Sequence, residues 1–298
     1  MQQFRAAVGR KKMKTDPSRS LDSGNASKES PHWAAKKILI APEKALDVRF
    51  YGQRSSRGVG ASPLVVHFHG GAFVGGSLEA GSCVARMLAD AGAVIMSLDY
   101  PLAPAHPFPE AVEAGYAALL WAWKARHKLA GHEAAVFVAG EEAGGNIAAA
   151  VALMARDRQE LALAGQILLS PMLDPCLATA SLRDAEAGPV GCVWADGWHQ
   201  YLARLQDASH PYAAPGSALR LTGLPPTLLL TADDDPLRDE TLAYAERLRV
   251  AGLAVHDAVL PMTTGWPSSY QQPVSSDPAW APAVRQQLAD FFRQHRSA

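Results

Sequence analysis

The sequence of 298 residues lacks the features that mark several classes of protein. Its three cysteines (Cys83, Cys176 and Cys192) lie far apart without Cys-x-x-Cys spacing, which argues against a disulfide framework or a zinc site and favours free thiols in a reducing compartment. No apolar run approaches the roughly 18 residues of a membrane span, and no apolar stretch follows the basic N-terminus as a secretory signal requires. We therefore expect a cytoplasmic protein with neither metal nor cofactor.

The sequence also lacks an excess of positive or negative charge. The 28 Lys and Arg residues nearly balance the 29 Asp and Glu residues, giving a formal net charge of -1 and a pI near 6.8. No whole-chain basic field argues for nucleic acid. Hydrophobic residues make up 48% and charged residues 19% of the chain, as in ordinary globular domains. The expected partner is a small-molecule ligand or substrate.

Residues 1–32 are polar and basic, without sustained periodicity, and are predicted to be a solvated tail or part of a lid. Residues 33–298 are predicted to form a single domain. Within it, the stretch from about 176 to 222 interrupts the regular pattern and contains a helix-like piece. We expect this stretch to be a cap inserted over the site.

The rest of the chain alternates between short apolar runs and amphipathic segments. Runs such as "PLVVHFHG", "AVIMSLDY" and "AAVFVAG" indicate buried strands, and segments of 10 to 15 residues with three-to-four spacing follow them. This alternation predicts an α/β fold with a mainly parallel central sheet and helices on both faces. Functional residues are then expected in the loops at the carboxyl ends of the strands.

Three such loops have distinctive sequences. The strand "PLVVHFHG" leads into "HGGAF" (69–73), where glycines allow backbone N–H groups to face a ligand. The glycines of "GEEAG" (140–144) leave room for a tight strand-to-helix turn that presents Glu142 at a helix N-terminus. A later strand ends in the acidic run "DDDPLRDE".

Together these motifs resemble the hormone-sensitive-lipase-like branch of the α/β-hydrolases, which are carboxylesterases with an HGG motif. "HFHGGAFVGGS", "SLDYPLAPAHPFPEAV", "GEEAGGNIAAA" and "TADDDPLRDETLAYAERLRVAG" match four of its motifs in order, over roughly residues 40 to 297. The resemblance implies an α/β-hydrolase fold with a small cap. It also implies an oxyanion hole, for which the donors expected here are the amides of Gly70, Gly71 and Ala143.

The catalytic positions depart from the family pattern. The resemblance puts serine at the elbow, where this chain has Glu142, and histidine where this chain has Thr264. The acid of the family corresponds to Asp235, which is present. Because acyl transfer by serine needs an activated nucleophile and a base, conventional esterase activity is expected to be absent or very weak. Glu142, Asp235 and Thr264 remain the candidate catalytic residues.

The substrate-binding candidates are mostly aromatic residues near these loops and in the predicted cap, each weighed against a role in packing alone. They are His69, Phe73, Glu141, Trp194, Trp198, Tyr201 and Trp266.

Several functions stay open at this point. The first hypothesis is a non-hydrolytic enzyme (a lyase, dehydratase, isomerase or cyclase) with Glu142 as general acid or base beside the oxyanion hole. The alternatives are a catalytically inactive binder whose Glu142 fills that hole, and an atypical hydrolase with Glu142 at the elbow. Asp235 is expected either to accept the Thr264 hydroxyl or to share a proton with Glu142. The family resemblance also allows a homodimer.

Overall fold

An eight-stranded sheet forms the centre of the computed structural model, which describes residues 33–54, 61–186, 192–271 and 277–296. The strand order is β1-β2-β4-β3-β5-β6-β7-β8. The strands are β1 (Trp33–Ala41), β2 (Lys44–Tyr51), β3 (Leu64–Phe68), β4 (Val94–Leu98), β5 (Val136–Glu141), β6 (Gly165–Leu169), β7 (Thr227–Ala232) and β8 (Val255–Leu260). β2 is antiparallel to both neighbours, and the other pairs, from β4 to β8, are parallel.

Helices connect the parallel strands, as their crossovers require. The helices are α1 (Ser82–Asp90), α2 (Glu110–Leu129), α3 (Ala143–Arg158), α4 (Ala180–Glu186), α5 (Val193–Tyr201), α6 (Arg238–Val250) and α7 (Ala281–Gln294). Within the described ranges, none of the helices combines the length and apolar character that crossing a bilayer requires.

The helices form two layers, one on each face of the sheet. Apolar residues of α1 and α7 share one buried cluster, and those of α2, α3 and α6 share the other. Strand side chains alternate between the two clusters, so that Val65 faces α1 and α7 while Val66 faces the opposite layer. The predicted mainly parallel sheet with helices on both faces is confirmed.

The N-terminal edge of the sheet differs from the sequence prediction. β1 was not predicted, because the strand is an exposed edge whose lysines and exposed residues hide its pattern. β2 lies between β1 and β4. The tail predicted for residues 1–32 lies outside the described residues. The predicted cap stretch carries α4, α5 and two short 3-10 turns.

Candidate active site

Glu142 sits in a sharp turn between β5 and α3, with φ 50° and ψ −118°. A residue other than glycine in this part of backbone space is strained by about 1–3 kcal/mol and persists only where its surroundings enforce it. The flanking glycines make the turn possible: a Cβ on Gly140 would lie 2.2 Å from the Gly144 carbonyl oxygen, and one on Gly144 would lie 2.1 Å from that of Phe68. The strand, turn and helix therefore present the side chain of Glu142 at the carboxyl edge of the sheet.

The carboxylate of Glu142 is held by donors from two other elements. Its Oε2 accepts the backbone N–H of Gly71 at 2.5 Å and of Ala72 at 3.1 Å. Its Oε1 accepts the indole N–H of Trp194, on α5, at 2.8 Å. The residue is only 4% exposed. Glu142 Oε2 thus lies between two backbone amides that both donate to it.

These donors overlap only partly with the oxyanion hole expected from the sequence. Gly71 is a donor as expected, but the Gly70 amide donates instead to Glu141 Oε1 at 3.2 Å. Ala72 takes its place because the loop turns through positive φ at Ala72 (49°) and Phe73 (66°), which brings the next amide toward Glu142. Ala143, the third residue expected, is the buried first residue of α3.

Burial and hydrogen bonding act in opposite directions on the elbow carboxylate. Burial raises the pKa of Glu142 above its ordinary value, and the hydrogen bonds from Gly71, Ala72 and Trp194 offset only part of that rise. The neighbouring charge of Glu141 adds to the rise in pKa. The side chain therefore has the character of a proton acceptor stronger than an exposed carboxylate.

Glu141 and His69 face the interior of the protein. Glu141, 1% exposed, directs its Oε2 to Nε2 of His67 at 2.8 Å. The His69 ring stacks on Tyr100 with 4.4 Å between ring centroids, and its Nδ1 lies 2.8 Å from the Gly70 carbonyl oxygen. Burial lowers the pKa of His69, so this ring is neutral and acts as a donor through Nδ1. These contacts support the loop.

The aromatic candidates fall into separate groups. Phe73 stacks on Tyr201 with a centroid separation of 3.9 Å and also contacts Trp198, so these three rings pack α5 against the loop after β3. Trp266 lies in the other buried cluster, against Tyr270 and Trp280. Of the aromatic candidates, Trp194 is the one with a hydrogen bond to Glu142.

α5 approaches the loop after β3 very closely. Gly197 faces Ala72, and a Cβ at position 197 would lie 2.2 Å from the Ala72 carbonyl oxygen. The absence of a side chain at Gly197 lets the helix settle onto the loop, which brings Trp194 within reach of Glu142.

The acidic loop after β7 uses two neighbouring carboxylates differently. Asp235 is buried and accepts the Thr231 hydroxyl at 2.6 Å and the Leu237 amide at 2.9 Å. Burial raises the pKa of Asp235. The Thr264 hydroxyl, expected on Asp235, donates instead to Asp234 at 2.9 Å. The reason is that the amide of Thr264 also donates to Asp234, which turns the whole loop toward that residue.

Sequence reasoning therefore missed three residues. Ala72 was hidden because its positive φ is not encoded by a glycine. Asp234 could not be separated from its acidic neighbours by sequence alone. His67 could have been found: in a strand with period two, His67 lies on the same face as Val65 and shares the sheet edge with Glu141. Across the described ranges, no three His, Cys, Asp or Glu side chains are grouped to hold a metal ion.

Comparison with known proteins identifies the family. A family model described as alpha/beta hydrolase fold matches residues 65–263, and the chain belongs to this family, in its hormone-sensitive-lipase-like branch. A carboxylesterase of Mycobacterium tuberculosis is 38% identical over 65% of this chain. An arylesterase of Saccharolobus solfataricus is 34% identical over 70% of this chain and 68% of its own length. The matched part spans 62% of the length of the mycobacterial relative.

A solved structure agrees with these relatives. A thermostable carboxylesterase from a metagenomic library aligns with a TM-score of 0.77 and 31% identity, covering 90% of both chains. The comparisons thus confirm the α/β-hydrolase fold. They also show that the first hypothesis, a non-hydrolytic enzyme, and its alternative, an inactive binder, are wrong, since these relatives are hydrolases. Both ideas gave too much weight to the serine mechanism, although a carboxylate beside oxyanion donors can also activate water.

Proposed function

We propose that the protein hydrolyses small-molecule carboxylic esters with Glu142 as the base at the elbow. In this proposal Glu142 stands where the family pattern has serine, and Thr264 stands where it has histidine. The observation that carries the proposal is the contact of Glu142 Oε2 with the amides of Gly71 and Ala72. The esterase relatives support the reaction class.

Substrate binding begins with an exchange of oxygens. The carbonyl oxygen of the ester takes the place of Glu142 Oε2 between the amides of Gly71 and Ala72. Two donors aimed at one oxygen suit the negative charge that develops there when the carbonyl is attacked. The displaced carboxylate keeps the Trp194 contact at Oε1, which holds it beside the substrate.

The same exchange makes Glu142 a better base. Hydrogen bonds from Gly71 and Ala72 lower the pKa of Glu142 against the effect of burial, so their loss raises its pKa further. Glu142 then takes a proton from a water molecule while the water oxygen adds to the carbonyl carbon. Collapse of the tetrahedral intermediate breaks the bond to the alcohol oxygen. The proton passes from Glu142 to that oxygen, which leaves a carboxylic acid and an alcohol.

Asp235 and Thr264 have no part in this step. Asp235 is occupied by Thr231 and Leu237, and Thr264 is occupied by Asp234. We assign both residues to the support of the loops around the site. The proposed reaction therefore depends on one carboxylate and the amides that face it.

The proposal is tested with p-nitrophenyl acetate and the Glu142→Gln variant, which keeps the shape and removes the base. We expect kcat/KM to fall by about 100-fold or more, as the loss of a general base usually causes. Glu113→Gln, at an exposed ion pair with Arg158 on α3, is the matched control and is expected to keep the wild-type rate. Wild-type protein without turnover above the Glu142→Gln background would refute the proposal.

Labelled water separates a base from a nucleophile. If Glu142 attacked the ester itself, and H₂¹⁸O then attacked the Glu142 carbonyl carbon of the resulting anhydride, ¹⁸O would enter the Glu142 side chain after repeated turnover. For a general base, we expect the label only in the released acid. Label in the peptide that contains Glu142, measured by mass spectrometry, would show that Glu142 acts as the nucleophile and would contradict the general-base role.

A further inference from the structure

A buried chain of polar side chains lies beneath the candidate site, on the face of the sheet covered by α1. His67 of β3 lies between Ser97 of β4 and Glu141 of β5, with His67 Nδ1 2.9 Å from Ser97 Oγ and His67 Nε2 2.8 Å from Glu141 Oε2. All three residues are at most 1% exposed. Nothing in the proposed reaction uses them, yet burying an imidazole and a carboxylate is costly unless they are paired.

The chain ends on the loop that faces Glu142. Glu141 Oε1 accepts the amide of Gly70 at 3.2 Å, and the hydroxyl of Tyr100 donates to the carbonyl oxygen of His69 at 2.6 Å. These two atoms belong to the same peptide group, which is therefore held at both its N–H and its C=O. A planar peptide fixed at both ends cannot rotate.

The next peptide group is held in the same way. The carbonyl oxygen of Gly70 lies 2.8 Å from His69 Nδ1, and the amide of Gly71 donates to Glu142 Oε2. Because the two peptide planes share the Cα of Gly70, the direction of the Gly71 N–H depends on the orientation of the first plane. A shift of the Gly70 amide would turn the Gly71 donor away from the reacting oxygen.

We propose that His67 and Glu141 are positioning residues for the ester-hydrolysing site: His67 fixes the Glu141 carboxylate, and Glu141 fixes the first peptide group of the oxyanion loop. The kinetic test of this positioning role rests on the proposed function. In this proposal His67 Nε2 donates a hydrogen bond to the Glu141 carboxylate, and Nδ1 accepts a hydrogen bond from the Ser97 hydroxyl. Gly81 encloses the ring, since a Cβ there would lie 3.2 Å from His67 Cε1.

Two substitutions of His67 separate its two nitrogens. His67→Gln can place an amide N–H near the Nε2 position and so keep the donor to Glu141. His67→Asn instead keeps a polar group near the Nδ1 position, beside Ser97, and leaves Glu141 without its donor. We expect kcat to fall by about tenfold in His67→Asn with KM changed by less than about twofold, because a misplaced donor affects the transition state most. His67→Gln is expected to stay within about threefold of wild type.

A double variant tests whether His67 acts through Glu141. Glu141→Leu removes the acceptor for the Gly70 amide and is expected to lower kcat at least as much as His67→Asn. Adding His67→Asn to Glu141→Leu should then cause little further loss, because both changes remove the same support. Equal kcat values for His67→Gln and His67→Asn, or additive losses in the double variant, would overturn the positioning role.

A second readout does not depend on hydrolysis. In protein labelled with ¹⁵N-glycine, the Gly70 amide proton should move upfield in His67→Asn and Glu141→Leu and should stay in place in His67→Gln. If these variants do not fold, the isosteric Glu141→Gln, which replaces a carboxylate acceptor with a weaker neutral one, should give the same upfield direction. If the wild-type protein does not hydrolyse esters but the variants show these Gly70 amide shifts, the proposed function is wrong and the positioning role of His67 and Glu141 stands. An unchanged chemical shift of the Gly70 amide proton in the folded variants would refute the positioning role.

Discussion

Two carboxylates at the carboxyl edge of the sheet are held by loop amides in similar ways, yet their proton affinities move in opposite directions. Glu142 accepts the amides of Gly71 and Ala72, and Asp234 accepts those of Thr264 and Gly265. Burial dominates at Glu142 and raises its pKa. At Asp234 partial burial also acts to raise the pKa, but the amides of Gly265 and Thr264 outweigh it, so the pKa of Asp234 is lowered.

The contrast shows that hydrogen bonds alone do not decide what a carboxylate does. Backbone amides are sufficient to lower the pKa of a carboxylate that is close to water. Where water is excluded, the same kind of donor offsets only part of the rise in pKa that burial causes. Asp234 therefore suits a structural clamp on the loop after β8. Glu142 suits a reaction in which it gains a proton and then loses it.

The largest difference between the two carboxylates is expected in hydrolysis. Asp234→Asn should keep kcat/KM for p-nitrophenyl acetate within about threefold of wild type, against the loss of about 100-fold or more expected for Glu142→Gln. The reason is that, among the residues the structure describes, Asp234 accepts hydrogen bonds from Thr264 and Gly265 and does not contact Glu142. A large loss in the Asp234 variant, with its melting temperature unchanged, would place Asp234 in the reaction and remove the contrast.

For the free energy of unfolding, we expect Asp234 to be important as the acceptor that holds its loop. Asp234→Ala leaves the amides of Thr264 and Gly265 and the Thr264 hydroxyl without their acceptor. We expect the free energy of unfolding to fall by about 1–2 kcal/mol, since water can replace part of the lost bonding at this exposed residue. Urea unfolding of the variant and the wild type measures the difference. A change below about 0.5 kcal/mol would show that the clamp contributes little.

The pH dependence of stability should have opposite signs at the two sites. The folded-state pKa of Glu142 is raised, so its contribution to stability is present at low pH and is lost as pH rises through that pKa. The folded-state pKa of Asp234 is lowered, so its contribution is present above the unfolded pKa and is lost as pH falls through the folded pKa.

These signs can be measured by comparing variants across pH. Relative to wild type, Glu142→Gln should become more stable as pH rises from about 4 to about 8, and Asp234→Asn should become less stable over the lower part of that range. Urea unfolding at several pH values gives both slopes. Slopes of the same sign would mean that burial does not separate the two carboxylates.

A smaller effect is expected when one donor to Glu142 is removed. Trp194→Phe keeps an aromatic ring but loses the indole N–H that lowers the pKa of Glu142. The acid limb of the kcat/KM profile should therefore move to higher pH. An acid limb that stays in place would show that Trp194 does not act on the group that titrates in the reaction.

The smallest effect is expected at Thr264. Thr264→Val keeps the backbone N–H that faces Asp234 and removes the hydroxyl, which donates to Asp234 and accepts the amide of Trp266. We expect a loss of about 0.5–1 kcal/mol in the free energy of unfolding and an unchanged kcat/KM. A clear loss of hydrolysis without loss of stability would return Thr264 to the catalytic residues.

The sequence was a good guide to the backbone around Glu142 and a weaker one to the contacts of its side chain. Apolar runs, flanking glycines and the four ordered motifs were sufficient to predict the strand, the turn and the helix at the elbow. The choice between Gly70 and Ala72 as a donor depends on the positive φ angles in the loop. The choice between Asp234 and Asp235 as the partner of Thr264 depends on how two loops meet. Neither choice can be predicted from the residue types alone.

The edge of the sheet shows a different kind of gap. β1 is mostly exposed and rich in charged and small residues, so its pairing with β2 supplies the order that its own pattern lacks. The hydrogen bond between Trp194 and Glu142 likewise depends on tertiary packing, because it exists only when α5 rests on the loop after β3.

Because α5 packs closely against the loop after β3 at Gly197, its position should depend on what binds beside Glu142. With no side chain between the helix and Ala72, there is no compressible layer to absorb a change in the loop. A ligand that pushes the loop outward must therefore lift the helix as a rigid piece, carrying Trp194 with it. Because the indole of Trp194 would then leave its hydrogen bond to Glu142, we expect the emission of Trp194 to change when a ligand displaces α5.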